Sequence, residues 1–180
     1  MTVIAEPLNR IRLRAIAEKV RELAGKGDTI YFPVVEFVER IMPRLFSGFF
    51  LEIVPKSYFP PDIHGETLVE EQVIRIREDV YLGAICGNGR DRMTMAHEAG
   101  HYILLVAKGI KFFRSFNDIP IKAFRDPEWQ AKAFAGELLC PYKLIGRMAA
   151  SQIALACGVS NEAAQYHFDL KNQIARRYTA

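Results

Sequence analysis

Two histidines four residues apart, with a glutamate directly after the first, restrict this 180-residue chain more than any other feature: His97-Glu98-Ala99-Gly100-His101. The pattern is chemically useful on an α-helix. There, residues four apart lie on one face with Cβ atoms ~5–6 Å apart, and two imidazoles can converge on one ion at ~2.0–2.1 Å each. Glu98 projects about 100° away around the axis. It is badly placed as a further ligand but can reach a water beside the metal and act as general base. Given the histidine and glutamate content, chance yields roughly 0.007 such patterns in a chain of this length. Met93, Met95, Ala96, Ile103, Leu104 and Leu105 predict the required helix, from Met93 to about Val106.

The rest of the composition is that of an ordinary folded protein, half hydrophobic and a quarter charged. The net charge of +3, from 24 basic and 21 acidic residues, does not point to a nucleic-acid partner. The densest basic run (Arg10, Arg12, Arg14, Lys19, Arg21) alternates with Ile11, Leu13, Ile16 and Val20 and reads as the solvated face of an amphipathic helix. Three widely spaced cysteines, Cys86, Cys140 and Cys157, form neither a zinc ribbon nor a disulfide framework. With no signal-peptide core and no apolar run of the ~18 residues that span a bilayer, the expectation is a reduced, cytoplasmic protein with no membrane partner.

The fold class expected is α+β: a small antiparallel sheet packed on a helical, zincin-like core with a helical C-terminal segment. A first helix runs from about Pro7 to Ala24, stopped by Gly25-Lys26-Gly27-Asp28. A second starts at Pro33, buries Val34, Phe37, Val38 and Ile41, and ends at Pro43 and Ser47-Gly48. Strands are expected at Phe49–Val54, around Ile74 and Ile76, and at Val80–Cys86 after a tight turn near Glu78-Asp79. Asp126-Pro127-Glu128 reads as an N-cap, a proline at the first helical position and a first-turn acid, opening a helix to about Leu139. Two short helices follow, split at Gly158-Val159-Ser160 with Ser160 as the second N-cap. The organisation expected is a metallopeptidase domain over 1–141 and a helical subdomain over 142–180.

A catalytic zinc usually has three protein ligands and a water. The other histidines are His64 and His167, and the downstream carboxylates are Asp118, Asp126, Glu128, Glu137, Glu162 and Asp169. Glu128 shares a stripe with Ala131, Phe134, Ala135, Leu138 and Leu139, where an unpaired carboxylate would be costly and a metal would resolve the cost. On spacing alone it reads equally well as a solvated acid at a helix N-terminus.

The stretch Arg92-Met93-Thr94-Met95-Ala96-His97-Glu98-Ala99-Gly100-His101, followed by Glu128-x-x-Ala131-x-x-Phe134-Ala135-x-x-Leu138-Leu139-x-Pro141, resembles the ImmA/IrrE metallo-endopeptidases. The resemblance is clear from about Ile74 to Pro141 and weaker over the C-terminal helices. It implies His97, His101 and Glu128 as metal ligands and Glu98 as the catalytic residue. It also implies a protein substrate, a helix-turn-helix repressor. Ala99 stands where leucine is common and Lys132 where asparagine is common; the second departure bears on groups that orient the ligands. Two histidines and a carboxylate suit Zn²⁺ first, with Mn²⁺ possible. Tyr102, Tyr81, His64 and Arg92 are candidates to steady an oxyanion, and the Val80–Cys86 edge is a candidate dock for a substrate strand.

A competing reading is a DNA-binding regulator, because Ala154-Leu155-Ala156-Cys157-Gly158-Val159-Ser160 has helix-turn-helix spacing. The following helix, Asn161 to Phe168, carries an acid and no Lys or Arg where phosphate contacts are needed. Direct nucleic-acid binding is therefore not expected. A third reading, a redox-conditional peptidase, requires exposed cysteines.

Overall fold

The computed structural model describes the backbone of residues 2–106, 112–115 and 122–179. Helix α1 (Arg10–Leu23) is capped by Asn9, whose side chain accepts from the Arg12 amide. It buries Leu13, Ala17 and Val20 at helical spacing and leaves Ile11 and Leu23 exposed. Its basic residues are not simply a solvated face. Arg21 is buried and donates to the carbonyls of Leu138 and Ile30. Arg10 and Arg14 reach across to a buried carboxylate, Glu137.

The second helical segment does not stop at its proline. Helix α2 (Val34–Glu36) widens into a π-turn over Phe37–Ile41 and resumes as α3 (Met42–Leu45), the Met42 amide bonding the Phe37 carbonyl. The wider turn admits Pro43, which has no N–H to offer an α-helical ladder.

Strands β2 (Phe50–Val54), β3 (Gly65–Leu68) and β4 (Val73–Arg77) form one sheet in the order β2-β4-β3. The sheet is mixed, not antiparallel throughout: β4 pairs parallel with β2 and antiparallel with β3. Central β4 buries Ile74 and Ile76, while Arg75 between them pairs with Glu52, Glu66 and Glu71. A separate two-stranded ladder joins β1 (Thr2–Ala5) to β5 (Phe112–Ser115).

The strand expected over Val80–Cys86 is instead helix α4 (Glu78–Ile85). Glu78 and Asp79, read as a turn, sit in its first turn, where negative charge complements the helix N-terminus. Val80 and Ala84 are buried at i, i+4, whereas Leu82 and Ile85 face out. A short apolar run does not distinguish strand from helix by itself.

Helix α5 (Gly89–Val106) begins a turn earlier than expected, with Asn88 Oδ1 accepting from the Arg90 and Asp91 amides. Helix α6 (Pro127–Leu139) has the predicted Asp126 cap, bonded to the Glu128 amide at 3.0 Å. After the single turn α7 (Tyr142–Ile145) come α8 (Ala150–Cys157) and the long α9 (Asn161–Thr179). Gly158 adopts φ +62 between these two, and Ser160 Oγ accepts from the Ala163 amide. Ile145, Ile153, Cys157 and Ala164 join the core built by α1, α5 and α6. Cys86 is exposed; Cys140 and Cys157 are buried and free. No described helix is long and apolar enough to cross a membrane.

Candidate metal centre

Helix α5 brings His97 and His101 onto one face with ring centroids 4.6 Å apart, near perpendicular. Their Nε2 atoms are 3.0 Å apart. Helix α6 packs against α5 and delivers Glu128 to the same point. Glu128 Oε2 lies 3.2 Å from His97 Nε2, and Oε1 lies 3.3 Å from His101 Nε2. These three residues can each offer a ligand atom, all within 4.8 Å of one another. The two imidazoles, His101 foremost, hold the Glu128 carboxyl well below the usual carboxylate range.

Glu128 is not a core carboxylate. The stripe after it (Ala131, Phe134, Ala135, Leu138, Leu139) is buried, but the Glu128 side chain is 71% exposed at the mouth of a cleft. Its position in the first turn puts it past the end of the core. Convergence with the two histidines singles it out, rather than burial. Of the other downstream acids, Glu137 is committed to Arg10 and Arg14, and Asp118 lies outside the described residues.

The donor set fits a divalent transition metal. Two imidazole nitrogens and a carboxylate, mutually 3.0 to 3.3 Å apart, have the spacing that ligand bonds of ~2.0–2.1 Å span. Two imidazole nitrogens and a carboxylate all turned to one point make a cation the natural partner for all three.

Glu98 is not one of the three converging donors but lines the same cleft, 8% exposed. Its carboxylate accepts a hydrogen bond from Thr67 of β3, with Oγ1···Oε2 at 2.8 Å. The cleft around these residues has a volume of about 1500 Å³. Its lining includes His64 and Arg90, the three convergent residues, and Tyr166 and His167 of α9.

Three of the four oxyanion candidates are structural. Tyr102 is buried edge-on to Phe46 and Phe49, Tyr81 bonds Glu39, and Arg92 is spent on backbone carbonyls. His64 lines the cleft with Arg90 Nη2 3.2 Å from its Nε2. Sequence reasoning missed Thr67 and Arg90. Thr67 carries no spacing signal, because it meets Glu98 only through the fold. The Val80–Cys86 edge expected as a dock does not exist, because that stretch is α4; the outer strands of the sheet are β2 and β3.

No match is found among curated proteins. Among solved structures, a Mycobacterium tuberculosis transcriptional regulator aligns with a TM-score of 0.57 at 17% identity, over 86% of this chain and 45% of that one. That likeness shows the fold, and this chain spans less than half of the other's length. The family of IrrE N-terminal-like domains, peptidase M78, matches residues 60–178, a stretch that holds β3, the His97–His101 pair, Glu128 and the C-terminal helices. This match covers about two thirds of the sequence, and the chain belongs to the peptidase M78 family, a metallopeptidase-type domain.

Proposed function

We propose that this protein is a zinc-dependent metallo-endopeptidase of regulatory type, with His97, His101 and Glu128 as ligands and Glu98 as base. The convergence of the three donors beside Glu98 in one cleft carries the reading. Zn²⁺ is the first choice for two histidines and a carboxylate, with Mn²⁺ the alternative. When bound, the ion supplies Lewis acidity, acidifying a water toward pKa ~7 and polarising a carbonyl. Glu98 accepts the proton of the attacking water and passes it to the leaving amine. Glu98 itself is 8% exposed, so little bulk water reaches its carboxylate. Arg90 and His64, which line the cleft together, are placed to bind a polar group of the substrate.

The outer strand β3 offers backbone donors and acceptors to an extended peptide, and the cleft exceeds the ~300–1,000 Å³ typical of small-ligand pockets. A protein segment is the better occupant. The family resemblance proposes a helix-turn-helix repressor as that substrate. The residues 142–180 act as a helical subdomain whose α9 forms a cleft wall. Three free cysteines are in keeping with a reducing, cytoplasmic setting.

The DNA-binding alternative has less support. Glu162, Ala163 and Tyr166, in the first two turns of α9, line the cleft, and no Lys or Arg stands among residues 161–168. The test is metal analysis of the purified protein with incubation against the repressor encoded beside it. Wild type should carry about one zinc and cleave, by the one-ion site above. His101→Ala should lose both, and Glu98→Gln should keep zinc and lose cleavage. Cleavage retained without metal would sink the assignment. Salt-dependent DNA binding by the wild-type protein would favour the alternative.

A further inference from the structure

We infer that Thr67, together with Gly65, positions the base; this rests on the role of Glu98 proposed above. Residues 65 and 67 of β3 alternate onto one face of the strand, and that face lies on α5 at Glu98. Thr67 Oγ1 is 2.8 Å from Glu98 Oε2 and 3.0 Å from the Glu98 carbonyl oxygen. A hydroxyl has one proton to donate. Its bond to the carboxylate is the charge-assisted one and dominates. Two residues earlier, a Cβ on Gly65 would stand 3.2 Å from Glu98 Cγ, 2.9 Å from Ile76 Cδ1 and 3.0 Å from the Arg75 carbonyl oxygen. Glycine leaves the space that the Glu98 stem fills. One residue makes room for the side chain and the other fixes its end.

The same two residues face the open edge of the sheet. The Arg77 amide donates to the His64 carbonyl at 3.1 Å, so His64 and Arg77 form a hydrogen-bonded pair. Strict alternation then puts Gly65 opposite Ile76 and Thr67 opposite Ile74 in non-hydrogen-bonded pairs. Their N–H and C=O groups point away from β4, toward an edge that no other described strand covers. A segment adding to β3 would bond through the residues that seat Glu98. Substrate register and base position are thus set by one short strand.

The test compares zinc-loaded wild type, Thr67→Val, Thr67→Ser and Glu98→Gln on denatured casein, with zinc per chain measured for each. Misplacing a catalytic group by about 1 Å costs on the order of 100-fold. Thr67→Val should therefore lower kcat roughly 10- to 100-fold, with KM within about two-fold and zinc unchanged. Thr67→Ser, which keeps the hydroxyl, should stay within about three-fold of wild type. A Thr67→Ser enzyme as impaired as Thr67→Val, or a Thr67→Val enzyme with full kcat, overturns the inference. A readout without turnover stands beside these: in a crystal structure of zinc-loaded Thr67→Val the Glu98 carboxylate should leave its wild-type position, and an unmoved carboxylate overturns the inference. Glu98→Gln separates the two ideas. Full turnover there removes the base role itself, whereas an inactive Glu98→Gln beside a fully active Thr67→Val removes only the role of Thr67.

Discussion

Replacing Arg92 with lysine should destabilise the protein by about 3 kcal/mol without loss of metal, because this arginine joins three segments from inside the core. Its side chain is 1% exposed. Nε donates to the Gly158 carbonyl at 2.8 Å, and Nη2 donates to the carbonyls of Phe32 at 2.9 Å and Cys157 at 3.2 Å. Nη1 donates to the Tyr31 hydroxyl, and the guanidinium lies 4.0 Å from the Tyr31 ring centroid. Among the described residues no carboxylate bonds it, and burial lowers its pKa from the ordinary arginine value. A lysine ammonium is a point donor and cannot reproduce the planar fork. Two of the three carbonyls would lose their partner, at about 1–3 kcal/mol each. Taking the lower half of that range gives the figure above, a large share of the ~5–15 kcal/mol that holds a domain folded. For a chain of this size it lowers Tm by roughly 6–12 °C. Urea unfolding followed by circular dichroism measures it, with zinc per chain measured in parallel. A loss under about 1 kcal/mol would refute the bonding argument. Normal stability with abolished cleavage would instead return Arg92 to the catalytic candidates.

Gly100→Ala tests how α6 is held against α5. The added Cβ would lie 2.9 Å from Phe134 Cδ1 and 3.2 Å from the Ala131 carbonyl oxygen, so the helices must part. Stability should fall by about 1–3 kcal/mol and zinc affinity by roughly 10-fold, read by chelator competition; unchanged affinity would break the link between packing and metal. His167 should make stability depend on pH in a defined window. Burial pushes its imidazole down to about 4, so the folded state resists a proton that the unfolded chain, at ~6.5, accepts. The contribution is complete above about 6.5 and is lost as pH falls toward 4, amounting to about 3 kcal/mol. Measured by urea unfolding, His167→Gln should flatten the slope between pH 6.5 and 4; an unchanged slope would refute the reading.

The metal helix was legible in the sequence because its chemistry and its periodicity are local: His97, His101 and the apolar residues around them all lie within five turns. Asp126-Pro127 gave the start of α6 by the same kind of local rule. What was not legible depends on partners distant in the chain. The run Val80–Cys86 has the composition of a strand, and only the acids at its start and the packing of Val80 and Ala84 make it a helix. The parallel pairing of β2 with β4 joins residues about 23 apart, and no turn chemistry announces it. Arg21 and Glu137 are buried charges that each bond groups more than 115 positions away (Arg21 the Ile30 carbonyl as well), so sequence placed Arg21 on a solvated face. Thr67 is silent for the same reason.

The motif that carried the family resemblance mixes two functions that only the structure separates. His97, Glu98, His101 and Glu128 face the cleft. Arg92, Gly100, Ala131 and Phe134 never reach it, yet they decide whether the first group can meet. Gly100 lets α5 approach Ala131 and Phe134 of α6 within a Cβ's reach. His97 lies three residues before Gly100, and Glu128 lies three before Ala131, so each ligand stands one turn from this close contact. The separation of the helices at that point therefore fixes the distance between His97 and Glu128. A side chain at position 100 would widen the donor triangle before any ligand was changed. The small residues in the motif are a ruler for the metal site, and the large ones, Arg92 and Phe134, keep the ruler from moving.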